Sequence, residues 1–85
     1  MEYKILVSKN HMSKTIYSGE HKFLVAQLKR ARIKAGLDQK QAAALLGKTQ
    51  SYISKIEAGQ RRIDIIQLKK FAKAYKKPID YFIGW

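Results

Sequence analysis

QKQAAALLGKTQSYISKIEAG, residues 39–59, is the stretch from which the fold is read. An alanine-rich apolar run stops at Gly47, and a second short segment begins two residues later, apolar on one side only. Ala43 is small enough for another helix to approach closely, and Gly47 tolerates the positive φ that a tight turn needs. Thr49 is a good N-cap for the second segment. Leu46, Ile53 and Ile56 are the anchors, and Ile53 and Ile56, three apart, share a helix face. Ser51, Ser54 and Lys55 point the other way, with Gln50 beside them. The spacing predicts two short helices joined by a tight turn, a helix-turn-helix unit from Gln39 to about Ala58.

Further helices are expected on both sides. The first covers about 19–35, with Ser18 as N-cap and a stripe of Leu24, Leu28, Ala31 and Ala35. Arg32 lies at the edge of that stripe, and Gly36 is the stop, with Leu37 placed to pack beyond it. Asp38 and Gln41 have capping-box spacing, and so do Asp64 and Gln67. Gly59 ends the second helix of the pair, and Gln60, Arg61 and Arg62 form a short basic loop. A fourth helix buries Leu68, Phe71, Ala72 and Tyr75, and its remaining surface carries Lys69, Lys70, Lys73, Lys76 and Lys77. Pro78 interrupts it and opens a short fifth helix, IDYFI, ending near Gly84. Its apolar surface, Tyr81, Phe82, Ile83 and Trp85, either makes a dimer contact or folds back on the first helix. The expected fold is all-α, a five-helix orthogonal bundle over 18–85. Residues 1–17 lack helical periodicity and read as an N-terminal arm, flexible or a weak strand, with Met12 as a second candidate start.

Composition narrows the function. Without cysteine, disulfides, thiolate metal sites and a cysteine nucleophile are excluded, and with only His11 and His21 a histidine-based zinc site would need most of its ligands from carboxylates. No metal or cofactor is expected. No apolar run approaches a membrane span, and no secretory signal is evident, so a cytoplasmic location is expected. The chain lacks a close acid pair, a nucleophile with a base and a Gly-rich phosphate loop, so an enzyme is not expected. Eighteen Lys and Arg against six Asp and Glu give a formal net charge of +12. That imbalance is costly in self-repulsion and points to a polyanionic partner, nucleic acid first. Glu20, Asp38, Asp64 and Asp80 fall at predicted helix starts, where the macrodipole favours them. Glu57, near a helix end, does not, and so requires a specific cation.

LKRARIKAGLDQKQAAALLGKTQSYISKIEAGQRRIDIIQLKKFAKAYKKPIDYFI resembles the xenobiotic-response-element (XRE) helix-turn-helix family, which includes the lambda and 434 phage repressors. The resemblance covers roughly 24–83, and its most specific parts are AGLDQ, AALLG and ISKIEAG. Lys48 departs from the family, which usually has an apolar residue after the turn glycine, and Ile63 stands near a common proline position. The resemblance implies a lambda-repressor-like domain whose third helix, 50–58, enters the major groove of double-stranded DNA. It implies Gln50, Ser51 and Lys55 as base readers, in keeping with the pairing of Gln with adenine and Lys with guanine. Phosphate contacts are expected from Gln39, at a helix N-terminus, and from Lys40, Lys48, Arg61, Arg62 and the Tyr52 hydroxyl. It also implies a structural ion pair between Arg32 and Glu57. The function implied is a sequence-specific transcriptional regulator, a repressor acting as a homodimer on a two-fold operator, with a restriction–modification controller as one version. The alternative is an antitoxin that binds a toxin partner and represses its own operon.

Overall fold

The chain folds, in a computed structural model that describes residues 19–84, because five one-sided helices close over a shared set of apolar side chains. The helices are α1 (Gly19–Lys34), α2 (Gln39–Leu46), α3 (Gln50–Glu57), α4 (Ile65–Tyr75) and α5 (Ile79–Ile83), with no strand among the described residues. The expected arm over 1–17, the Ser18 cap and Trp85 lie outside the described residues.

Helix boundaries follow the local chemistry. Asp38 accepts from the Gln41 amide at 2.7 Å while Gln41 Oε1 accepts from the Asp38 amide at 2.8 Å, so the first capping box is complete. The second is only half formed. Asp64 accepts from the Gln67 amide at 2.8 Å, but the Gln67 side chain turns away to accept from the Tyr52 hydroxyl at 3.4 Å. Thr49 Oγ1 caps α3 through the Tyr52 amide at 3.1 Å.

Four helices end in the same left-handed turn. In α2 the Gly47 amide bonds to the Ala44 carbonyl and the Lys48 amide to the Ala43 carbonyl, with Gly47 at φ 66°. This is the two-bond pattern of a Schellman cap. α1 and α3 close likewise at Gly36 and Gly59. α4 does the same at Lys76, φ 58°, the only non-glycine with positive φ among the described residues. The sequence reading located this break at Pro78, which in fact follows a turn already made. Left-handed geometry costs an L-residue about 1 kcal/mol relative to glycine. Lys76→Gly is therefore expected to raise Tm by about 4–8 °C, read by thermal denaturation.

The core consists of Leu28 and Ala31 of α1, Ala42 and Ala43 of α2, Ile53 and Ile56 of α3, Leu68, Phe71, Ala72 and Tyr75 of α4, and Phe82 of α5. α2 and α3 pack closely because Ala42 and Ala43 add so little bulk. Phe82 is fully buried and α5 lies against α1, so the fifth helix folds back onto the first. One predicted core position is corrected: Ala35 is exposed, because α1 ends at Lys34 and the chain is already turning. The stripe carries Gln27 as well, buried and satisfied by donating to the Tyr81 carbonyl at 3.0 Å and accepting from Arg30 at 2.7 Å. A buried amide with both ends bonded avoids the desolvation penalty that a simple apolar stripe would never meet.

Candidate nucleic-acid interface

α3 is held to the domain by two side chains. Ile53 and Ile56 are each 1% exposed, while Gln50, Ser51, Ser54 and Lys55 on the same eight-residue helix are exposed. The exposed face thus offers amide, hydroxyl and ammonium groups and no carboxylate. The helix's single acid, Glu57, is turned inward with its side chain 6% exposed.

Glu57 is the hub of a network joining three helices. Arg32 of α1 makes a two-pronged pair with it, Nε to Oε2 at 2.7 Å and Nη2 to Oε1 at 3.0 Å. The same guanidinium donates from Nη1 to the Leu37 carbonyl at 2.8 Å, fixing the α1–α2 turn. Gln39, the first residue of α2, donates to Glu57 Oε1 at 3.1 Å. Hydrogen bonding to Glu57 raises the Arg32 pKa against the opposing effect of burial, so the guanidinium is charged throughout. Below this network lies Tyr75, 2% exposed, whose phenol is pushed up by burial first and by the Glu57 carboxylate second. It remains a neutral O–H donor.

The expected phosphate-contacting residues separate into distinct places. Lys48 and Arg61 converge on the Tyr52 ring, Lys48 Nζ at 5.0 Å and the Arg61 guanidinium carbon at 4.9 Å from its centroid. The ring itself stacks on Phe71, centroids 6.4 Å apart and planes within 14°. Tyr52 is thus a platform that gathers two cations from the two ends of α3, a role that sequence reading missed. The signal was present in Lys48, the position that departs from the family pattern, but the approach of Arg61 depends on how the 60–63 loop returns. Gln39 stands on the Glu57 side with Lys40 exposed beside it. Arg62 belongs elsewhere: it lines a groove of about 680 Å³ with Phe23 and Leu24 of α1 and Ile83 of α5.

This arrangement gives Tyr52 a test. Tyr52→Ala removes the ring that positions Lys48 and Arg61 and is expected to weaken DNA affinity about 5–10-fold, while Tyr52→Phe stays within about 2-fold of wild type, both read by fluorescence anisotropy at fixed salt. Equal losses in the two variants would instead place the hydroxyl itself on a phosphate.

Among the described residues no helix is long and apolar enough to cross a membrane, and no group of three or more His, Asp or Glu could hold a metal ion. The family HTH_3, helix-turn-helix, matches residues 28–82. Several solved structures resemble the chain, among them the following two. An HTH_3 family transcriptional regulator from Vibrio cholerae is 27% identical, with a TM-score of 0.67 over 74% of this chain and 35% of its own. The restriction-modification controller protein C.AhdI from Aeromonas hydrophila is 26% identical, with a TM-score of 0.69 over 76% of this chain and 98% of its own. This chain therefore spans about a third of the Vibrio regulator but nearly all of the controller. No curated protein matches.

Proposed function

The chain belongs to the HTH_3 helix-turn-helix family of DNA-binding transcriptional regulators, and from that premise we propose that it reads a specific double-stranded DNA site by laying α3 in the major groove. The observation that carries this is the divided surface of α3, with two buried isoleucines on one side and an acid-free polar face on the other. Gln50, Ser51 and Lys55 read base edges, where a good bidentate contact discriminates by ~1–3 kcal/mol. Lys48 and Arg61, gathered on Tyr52, grip the backbone at either end of the reading helix, and Lys40 and Gln39 meet it at the start of α2. Arg62, set on the α1–α5 side, adds a phosphate contact only where the duplex extends past the 60–63 loop. Gln39 serves a double purpose, since one amide hydrogen is committed to Glu57.

The protein acts as a homodimer on a two-fold site whose half-sites lie about one helical turn apart. Its role is that of a repressor or of a restriction–modification controller, the latter supported by the near full-length match to C.AhdI. A neighbouring methylase gene would favour the controller role. An adjacent toxin gene would move the reading to an antitoxin that represses its own operon.

Competition binding tests the proposal. Specific DNA should be bound at least ~10³-fold more tightly than random duplex at physiological salt. Lys55→Ala and Gln50→Ala should each relax preference at one position of every half-site. Arg61→Ala should weaken all sequences by a similar factor. If the two kinds of variant behave alike, the division between base readers and backbone contacts is wrong.

A further inference from the structure

A second surface lies away from these residues. The C-terminal ends of α1, α2 and α4 enclose an open groove of about 810 Å³ that contains no residue of α3 or of the 60–63 loop. Five lysines rim it, Lys34, Lys70, Lys73, Lys76 and Lys77, and no acid faces them from its lining. Its floor is apolar. Leu45 lies 61% exposed beside Leu46, and Tyr75, almost wholly buried, backs them in the lining.

A solvated lysine face would account for the charges alone. It does not account for an exposed leucine set in their midst over an apolar floor. Nor does it account for Lys76. Gly36, Gly47, Gly59 and Gly84 occupy the other left-handed positions, yet the one on the rim of this groove keeps a side chain at the expense of backbone strain. Strain of that kind is retained where the side chain has a use.

We propose that this groove docks an acidic amphipathic helix of a partner protein, with leucine-like side chains on Leu45 and Leu46 and carboxylates against the lysine rim. An open apolar channel suits a helix laid along it better than a small ligand, which would require enclosure. DNA fits the rim but not the apolar floor. Charge disfavours a second copy of the chain: among the described residues no helix carries more than one acidic residue, and Asp38, Asp64 and Glu57 are already engaged.

The test uses the full chain labelled for amide NMR and three probes. One is a synthetic helix of about 18 residues with leucines at i, i+4 and i+7 flanked by glutamates; the second has the same composition scrambled; the third is a random 20-bp duplex, each length chosen to span several helical turns. The amphipathic peptide is expected to shift Leu45, Leu46, Ala74 and Lys76, and to bind at least about 10-fold tighter than the scrambled one. Leu45→Ser and Lys73→Glu, both at exposed positions, should weaken it about 10-fold. Lys76→Gly is the discriminating variant, because it should raise Tm yet weaken the peptide several-fold. The proposal is overturned if the peptides bind equally or not at all, if Lys76→Gly binds as tightly as wild type, or if the duplex rather than the peptide moves the groove residues.

Discussion

Arg32→Ala should destabilise the domain by about 3–5 kcal/mol, enough to leave so small a protein largely unfolded near 37 °C. The reason is geometric. Both partners of the Arg32–Glu57 pair are shielded, their side chains 10% and 6% exposed, so the loss of the guanidinium strands a carboxylate in the interior. The carbonyl of Leu37 loses its donor as well, and the α1–α2 turn loses its tie to α3. Arg32→Lys should recover only part of the loss, because an ammonium cannot make the two-pronged contact and reach Leu37 at once. The double variant Arg32→Met with Glu57→Leu should be more stable than Arg32→Ala, since no charge is then left unpaired. Urea denaturation of the three variants checks this order. If Arg32→Ala kept wild-type stability and lost only DNA affinity, Arg32 would be a DNA contact and not a structural one.

The second large effect is that of salt. Lys40, Lys48, Arg61 and Arg62 are all exposed, and two protomers would present twice that set to phosphates. Counterion release then predicts a slope of log K against log[salt] of about −5 to −7, or roughly a 10³–10⁴-fold loss of affinity between 50 and 200 mM. The lower figure corresponds to a complex in which Arg62, placed on the α1–α5 side, stays off the backbone. Arg61→Ala should flatten the slope by about 2 per dimer, and Gln50→Ala should leave it unchanged. A slope near zero would mean that the charge of +12 serves something other than DNA.

Much of the fold was legible because it is written in local signals. Asp38 with Gln41, Thr49, Gly47 and Gly59 each act within one turn of their own position, and the periodicity of Ile53 and Ile56 locates the polar face of α3. What escaped depends on residues distant in sequence. Gln67 leaves its capping box because Tyr52, fifteen residues away, offers a donor. Gln27 is buried because the Tyr81 carbonyl, fifty-four residues on, accepts from it. The convergence of Lys48 and Arg61 on Tyr52 arises only once α3 is seated on Phe71. The left-handed Lys76 breaks the expected rule outright, because a proline nearby supplied a sufficient but mistaken reason for the helix to stop.

The central claim is that the exposed face of α3 chooses the sequence while the surrounding cations only hold it in place. Selection of bound sequences from a random DNA pool, run in parallel for the wild type, Lys55→Ala and Arg61→Ala, tests it most directly. The account predicts a two-fold symmetric site with half-sites one helical turn apart, degenerate at one symmetric position for Lys55→Ala and unchanged, though recovered in lower yield, for Arg61→Ala. An unenriched pool, or a Lys55→Ala site identical to that of the wild type, would contradict it.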